Sequence, residues 1–231
     1  MRHNTRMKSI EPLLDAIERE AQRASFPVDV AAYEKVGKDP MRPILCAGSL
    51  EAPVCCLGRD LGKDEVAVGE PLVGSAGRLV RIGVHEAMEG EPPPKSDRRV
   101  ESALEHVLLT NTVPYKPPGN KAYSEPVKER FRPFVAALLV EFWKGDRVIT
   151  LGTEAFQWFA RYAEPGEAEA LWKRNDRYEA DLRCVLTLEY DGRHHSKPIT
   201  VCPLPHPSPL NQRWYKEFPS LLKQRLKSVR D

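Results

Sequence analysis

Short apolar runs, each bounded by turn residues, recur along this chain and are typical of strands buried on both faces of a parallel sheet. They span residues 54–57, 107–110, 148–151 and 199–202. A further run at 182–190 is followed by the turn pair Asp191-Gly192, which predicts a hairpin leading into the last of these strands. The pattern therefore predicts a short, mainly parallel four-stranded sheet.

Apolar residues at helical spacing fill the segments between these runs. They predict helices over 75–88, 126–143 and 153–162, and an amphipathic helix that begins at Ser9. Residues 26–43, which contain a glycine and several prolines, predict irregular coverage. Strands that alternate with helices imply an α/β fold, here a three-layer α/β/α sandwich. We expect a single domain over residues 1–231, with an N-terminal helical extension of about residues 1–43.

Composition narrows the class of protein only moderately. The chain has 231 residues, of which 41% are hydrophobic and 29% charged, as suits a soluble globular domain. A net charge of +2 does not by itself indicate nucleic acid, although the tail after Asn211 is basic. The five cysteines, without C-x-x-C spacing, favour a reducing compartment. Since no apolar signal core or membrane-spanning run is present, we expect a cytoplasmic protein with no membrane association.

Polar residues follow three of the predicted strands. Asp60 lies just after 54–57, Asn111 follows 107–110, and His206 lies in the proline-rich segment 203–210. Because ligands of parallel sheets bind beyond the carboxyl ends of the strands, we expect these side chains to share a crevice. Each residue alone is more often structural, as a turn residue or a hydrogen-bonded histidine. Together, a carboxylate, an amide and an imidazole suit hydrolysis at an electron-poor carbon with an anionic leaving group.

These three segments resemble the motifs of the uracil-DNA glycosylase superfamily. In its ubiquitous, uracil-specific branch the motifs read G-Q-D-P-Y-H, L-L-L-N and H-P-S-P-L-S. Here the corresponding segments read G-R-D-L-G at 58–62, L-L-T-N at 108–111 and H-P-S-P-L-N at 206–211. The last match is the most specific, and the resemblance runs from about residue 45 to residue 210.

Another part of the chain is similar to the thermophilic, iron-sulfur branch of the same superfamily. That branch carries G-R-P-F-V-G-x-A-G-x-L and N-V-V-K-C-R-P-P-x-N. This chain has G-E-P-L-V-G-S-A-G-R-L at 69–79 and N-T-V-P-Y-K-P-P-G-N at 111–120. Tyr115 stands where that branch has a ligand cysteine, and no cysteine precedes Cys46. We therefore expect no iron-sulfur cluster, no other metal and no cofactor.

The resemblance implies a chemical role for each matched residue in the crevice. Asp60 orients the attacking water and stabilises positive charge on the sugar, and His206 donates a hydrogen bond to O2 of the departing uracil. Asn111 reads O4 and N3–H of the base, a pattern that cytosine reverses. Backbone N–H groups around Leu61 and Gly62 are expected to donate to O2 as well. The other residues expected to line the base pocket are Gly58, Arg59, Leu61, Gly62 and Leu72.

The resemblance also implies a DNA-binding surface, because a glycosylase reaches its bond only after the nucleotide is flipped out of the duplex. Leu210, at the tip of the proline-stiffened loop, is expected to fill the vacated space in the stack. Pro207, Ser208, Lys116 and Asn120 are expected to contact the DNA backbone, which positions the protein without reading sequence.

Two positions depart from the family patterns. The aromatic residue that stacks on uracil in both branches falls at Leu72, which reduces the stacking energy by about 1 kcal/mol. The tyrosine that blocks the thymine methyl group in the ubiquitous branch falls at Gly62, where the iron-sulfur branch also has glycine. The motifs therefore do not predict which residues line the pocket around C5 of the base.

The sequence as a whole indicates a monomeric glycosylase that removes uracil from single- or double-stranded DNA and leaves an abasic site. One alternative keeps the fold and changes the chemistry, as in a superfamily member that removes other deaminated bases or traps uracil covalently. A second alternative is a module that binds nucleic acid without cleaving it. Asp60 argues against the second alternative, because binding of a polyanion does not favour a carboxylate.

Overall fold

The sheet at the centre of the protein is seen in a computed structural model, which describes residues 9–119, 121–190, 192–209 and 211–230. Within these residues the sheet has six strands, in the order β1-β3-β2-β4-β6-β5. The strands are β1 (Cys46–Gly48), β2 (Val54–Gly58), β3 (Val107–Asn111), β4 (Arg147–Leu151), β5 (Leu182–Tyr190) and β6 (Arg193–Leu204).

The four neighbouring strands β3, β2, β4 and β6 run parallel, which confirms the strands predicted from the apolar runs. The two outer strands run antiparallel to their neighbours, β1 to β3 and β5 to β6. The β5–β6 pair is the predicted hairpin. The sheet is two strands wider than the predicted four. One addition, β5, comes from the predicted hairpin, and the other, β1, was not predicted because it has only three residues and no apolar run of its own.

Helices cover both faces of the sheet and form its outer layers. All positions of β2 and β3 are buried, so alternate residues of one strand face different layers. In β2, Cys55 and Leu57 pack with one hydrophobic cluster, whereas Val54 and Cys56 pack with the other. This arrangement confirms the predicted α/β fold with helices on either side.

The helices follow the predicted positions, with changes in their bounds and several additions. They are α1 (Glu11–Arg23), α2 (Val30–Glu34), α3 (Lys63–Val68), α4 (Ser75–Glu89), α5 (Glu125–Ala137), α6 (Thr153–Gln157), α7 (Glu167–Trp172), α8 (Gln212–Tyr215) and α9 (Phe218–Arg230). The single helix predicted over 126–143 is α5 followed by a π-helical turn, Leu138–Phe142. The helix predicted over 153–162 is α6 and a separate 3₁₀ turn, Ala160–Tyr162. Another 3₁₀ turn, Glu101–Glu105, precedes β3.

The N-terminal helix α1 packs into the main core. Its residues Leu13, Ile17 and Ala21 are buried in the same cluster as Phe131 and Val135 of α5. On its outer face, α1 places carboxylates near Arg42, which lies between α2 and β1. Among the described residues, no helix is long and apolar enough to cross a membrane.

Burial of apolar surface, rather than surface charge, is expected to hold α1 in place. Ile17 is 0% exposed, and Ile17→Ala should lower the free energy of unfolding by about 2–5 kcal/mol. Arg42→Gln removes ion pairs to Glu11, Asp15 and Glu18, yet these are solvent-exposed pairs and the loss should stay below about 1 kcal/mol. Urea unfolding of both variants measures the difference. Equal losses would contradict this view of the packing.

Candidate active site

Three strand ends bring polar side chains to the same edge of the sheet. β2 and β3 are parallel neighbours, and Gly58 at the end of β2 pairs in register with Asn111 at the end of β3. β4 lies between β2 and β6, so the segment that follows β6 leaves from that same edge. At the end of β4, a Cβ atom on Gly152 would lie 3.1 Å from the Cβ of His206. The predicted convergence of Asp60, Asn111 and His206 on this edge therefore agrees with the topology.

The carboxylate of Asp60 is almost fully buried and only partly satisfied. Its side chain is 6% exposed, and the Arg59 Nε donates to Oδ2 over 2.6 Å. The other oxygen, Oδ1, is buried and has no hydrogen-bond partner among the residues that the structure describes. Burial raises the pKa of Asp60 above its ordinary 3.8, while the charge and hydrogen bond of Arg59 act in the opposite direction. Because an unpartnered buried acceptor is unfavourable, Oδ1 is well suited to accept a hydrogen bond from water or a ligand.

The amide of Asn111 lies against the backbone of the neighbouring strand. A Cβ atom on Gly58 would be 2.7 Å from the Asn111 Nδ2 and 3.3 Å from the Leu72 Cδ2. Glycine at position 58 therefore makes room for the amide and for the leucine beside it. Asn111 is 2% exposed, and its Oδ1 is buried without a hydrogen-bond partner in the described part of the chain. Asn111 and Leu72 together form a wall that presents an unsatisfied acceptor.

His206 leaves the end of β6 in a braced turn. Its carbonyl oxygen accepts hydrogen bonds from the Ser208 N–H over 2.9 Å and from the Asn211 Nδ2 over 3.2 Å. His206 is exposed to solvent, yet its pKa is lowered below the ordinary 6.5. The larger cause is the protein that surrounds the ring, and the second is the positive charge of Arg59. At neutral pH the imidazole is therefore uncharged and retains one N–H donor.

Glu65 joins the two loops beside the pocket, and sequence analysis did not identify it. Its carboxylate accepts backbone hydrogen bonds from Gly62 over 2.9 Å, from Val73 over 3.0 Å and from Gly74 over 2.8 Å. A Cβ atom on Gly62 would lie only 2.6 Å from the Glu65 Oε2. The Glu65 carboxylate thus lies beside Gly62, where the ubiquitous branch has its tyrosine. The only local signal for this contact is the capping-box spacing between positions 62 and 65.

Arg81, also missed in the sequence, holds the loop that carries Leu72. It is 0% exposed and donates to the Leu72 carbonyl over 2.9 Å, to the Pro71 carbonyl over 3.2 Å and to Glu70 over 2.9 Å. Leu72 has a φ of 54°, a left-handed conformation that is unfavourable for leucine. A Cβ atom on Gly77 would lie 2.1 Å from the Leu72 carbonyl carbon, so α4 approaches this loop closely. The pocket wall is therefore fixed in an unfavourable backbone conformation by its surroundings.

A sequence model of the uracil DNA glycosylase superfamily matches residues 47–230. The chain belongs to the uracil DNA glycosylase superfamily. A search of curated proteins gives no match. Membership in the superfamily supports a role as a DNA glycosylase, a hydrolase of DNA repair, and implies that the protein binds DNA.

Several residues that the superfamily resemblance places on the DNA or the base have other contacts in the structure. Lys116, expected to contact phosphate, has a side chain that is 5% exposed, and its ammonium group donates to Asp29 over 2.6 Å and to two backbone carbonyls. Pro207 is buried in the turn after β6. The Gly62 N–H, expected to donate to O2, donates to Glu65, and the Leu61 side chain packs in a small apolar cluster. The roles of these residues toward DNA and the base stay predictions.

Two residues of the predicted DNA surface, Asn120 and Leu210, lie outside the described residues. Ser208 is half-buried in the turn after His206, beside the expected position of the DNA. Its role stays a prediction, as do those of Asn120 and Leu210.

The residues present do not fit the iron-sulfur cluster of the thermophilic branch. At the position of a ligand cysteine, Tyr115 is 0% exposed, donates to the Met41 carbonyl over 2.8 Å and packs against Phe26 and Phe131. Within the described part of the chain, no group of three or more His, Cys, Asp or Glu side chains is arranged to hold a metal ion. No step of the chemistry below is assigned to a cluster.

We expect the Glu65 carboxylate to stabilise the folded protein and the neighbouring Asp64 carboxylate to contribute little. Glu65→Gln replaces one acceptor oxygen with an NH₂ group facing backbone donors, and should lower the free energy of unfolding by about 1–3 kcal/mol. The matched change Asp64→Asn, at an exposed position of α3, should alter it by less than about 0.5 kcal/mol. Thermal and urea unfolding measure both variants. A similar loss in each would show that the three backbone contacts do not stabilise the loops.

Proposed function

We propose that this protein hydrolyses the N-glycosidic bond of uracil in DNA and leaves an abasic site. The observation that carries the proposal is a pair of buried acceptor oxygens at adjoining strand ends, Oδ1 of Asp60 and Oδ1 of Asn111, neither of which has a partner among the described residues. One acceptor suits the N3–H of uracil, and the other suits a water molecule. Superfamily membership supports the same class of reaction.

Asn111 selects the base in this proposal. Once the nucleotide is flipped into the crevice, the amide oxygen accepts the N3–H of uracil and the amide nitrogen donates to O4. Cytosine presents an acceptor at N3 and a donor at C4, so it leaves both amide groups mismatched and buried. A site whose buried polar groups are left unpaired rejects the wrong ligand strongly. Gly58 is needed because any side chain there would displace the amide.

Asp60 and His206 act on opposite sides of the bond. A water held by the Asp60 Oδ1 forms a bond from its oxygen to C1′, and the electron pair of the C1′–N1 bond leaves with the base. A proton of the water passes to the carboxylate and then to solvent. The carboxylate also stabilises positive charge that develops on the sugar. The neutral imidazole of His206 donates its N–H to O2 as negative charge grows on the uracil.

The DNA surface follows from the placement of the loop after β6. We propose that Leu210 fills the space left by the flipped base, with Ser208 and Asn120 at the DNA backbone. Either single- or double-stranded DNA provides such a nucleotide. The monomeric state and the cytoplasmic location stay predictions.

A second candidate is removal of another deaminated base, and the Leu72 and Gly62 positions favour it. Neither position carries the aromatic ring found in the ubiquitous branch, and the nearest group to Gly62 is the Glu65 carboxylate. A wall of this composition differs in size and polarity from a tyrosine ring. Oligonucleotides that carry hypoxanthine or thymine in place of uracil distinguish this candidate from a strict uracil enzyme.

The two catalytic residues are tested by alkaline cleavage of single- and double-stranded oligonucleotides that carry one uracil. Asp60→Asn and His206→Ala should each lower the single-turnover rate by about 10²–10⁴-fold, because each removes a group that acts in the transition state. The matched controls are Asp64→Asn, the same change at an exposed acid, and His194→Ala, whose side chain is 87% exposed. Both controls should cleave at the wild-type rate.

Two results of the same assay would contradict the hydrolysis of uracil. If the wild type binds the oligonucleotide and every strand stays intact, hydrolysis of uracil is the wrong reaction. Cleavage of the hypoxanthine strand in preference to the uracil strand would replace uracil with another deaminated base.

A further inference from the structure

Arg59 lies beside the Asp60 carboxylate, and its backbone is held in place. It is the first residue after β2, and its carbonyl accepts hydrogen bonds from the Thr112 Oγ1 over 2.6 Å and from the Thr112 N–H over 3.2 Å. The end of β3 therefore holds the Arg59 backbone. Its guanidinium Nε reaches the Asp60 Oδ2 over 2.6 Å, with the arginine side chain 38% exposed and the aspartate side chain 6% exposed.

We propose that Arg59 is a positioning residue of the glycosylase reaction, which engages the Asp60 Oδ2 so that Oδ1 is presented to the attacking water. The inference rests on the proposed function. A carboxylate on a short side chain rotates freely unless one oxygen is held, and a directional N–H···O bond provides that restraint. The distribution of partners supports it, since one oxygen is bonded and the other is buried and unsatisfied.

The charges around Asp60 identify Arg59 as the important cation. Lys128 also favours the ionised carboxylate and Glu154 opposes it, but these two pair with each other over 2.5 Å and largely cancel. Tyr123 contributes a buried hydroxyl, whose own pKa is raised mainly by burial and partly by the nearby Asp60 charge. Arg59 is therefore the main counter-ion of a carboxylate whose pKa is raised by burial.

The Arg59 cation also affects the pH range of the reaction. Activity requires Asp60 to be ionised, so the rate falls as the pH falls through the pKa of Asp60. The charge of Arg59 lowers that pKa, so loss of the cation would raise it and move the acid limb of the pH–rate profile to higher pH. The same charge, after burial, lowers the pKa of the His206 imidazole.

The test compares single-turnover rates of uracil release at saturating enzyme across the acid limb. Arg59→Gln should lower the plateau rate by about tenfold or more, because Asp60 is no longer held, and should move the acid limb upward by about one pH unit. Arg59→Lys retains the charge but not the planar donor, so the limb should stay near that of the wild type while the plateau remains reduced. Arg23→Gln, in α1, removes an arginine from another carboxylate pair and should behave as wild type.

A role in binding DNA phosphate would give a different result. In that case Arg59→Gln would weaken binding of the uracil oligonucleotide by Asp60→Asn protein, reduce the slope of log affinity against log salt by about one, and leave the acid limb in place. This outcome overturns the proposal. A positioning role predicts a different result when Arg59→Gln is added to the Asp60→Asn protein. The affinity for the oligonucleotide should then change by less than about threefold. The reaction rate should fall by a smaller factor than it does when Arg59→Gln is made in the wild type.

Failure of the proposed function is distinguishable from failure of this inference. A wild-type protein that releases no uracil removes the function on which the inference rests. A wild type that releases uracil, with Arg59→Gln and Arg59→Lys both matching its rate and its acid limb, overturns the role of Arg59 alone. Circular dichroism of each variant confirms that it is folded, and the conservative lysine variant keeps the test decisive if the glutamine variant is unstable.

Discussion

The register between β2 and β3 is the constraint on which the crevice depends. It places Gly58 opposite Asn111, and a glycine at that point lets a buried amide lie across the neighbouring backbone. The strands on either side are apolar and buried, so polar groups enter the structure only where the strands end. The next residues of the chain, Arg59 and Asp60, are then directed into the same space. A change of register by one residue would separate the amide from the carboxylate.

Maintaining unsatisfied groups at this edge requires a rigid surround. Leu72 is held at a positive φ by three hydrogen bonds from Arg81 to its loop, and Glu65 ties that loop to the residues after Asp60. His206 is held in a turn whose prolines and carbonyl contacts limit its motion. None of these stabilising contacts is made by the side chains proposed to act on the substrate. The free energy lost in leaving Asp60 and Asn111 oxygens unpaired is offset by packing and hydrogen bonds elsewhere, as is common at functional sites.

Much of the central sheet is predictable because burial on both faces leaves short apolar runs that are visible in sequence. β1 is not predictable, since its three residues have no pattern and are placed by pairing with β3. The positions of Asp60, Asn111 and His206 follow from strand ends and from matched motifs. Asp60, however, reveals its unsatisfied oxygen only once its neighbours are placed.

Residues whose roles depend on distant partners were misjudged or missed. Lys116 looks like a phosphate ligand in a loop, and its partner Asp29 lies 87 positions away in the chain. Arg81 looks like an exposed helical arginine until the carbonyls of the 70–72 loop surround it. Glu65 shows a local capping signal, but its contacts to Val73 and Gly74 depend on how two loops meet. Sequence therefore indicates which groups carry the chemistry better than which groups hold them in place.

In the proposed reaction a water directed by Asp60, and not a protein side chain, replaces uracil at the sugar. Denaturing mass spectrometry of the complete reaction mixture with a uracil oligonucleotide distinguishes the two nucleophiles. We expect an unmodified protein mass, a strand that has lost its base and gained a hydroxyl group at C1′, and free uracil. A protein mass increased by that of the strand would show covalent trapping, and an unchanged strand would show binding alone; either result would rule out hydrolysis by the directed water.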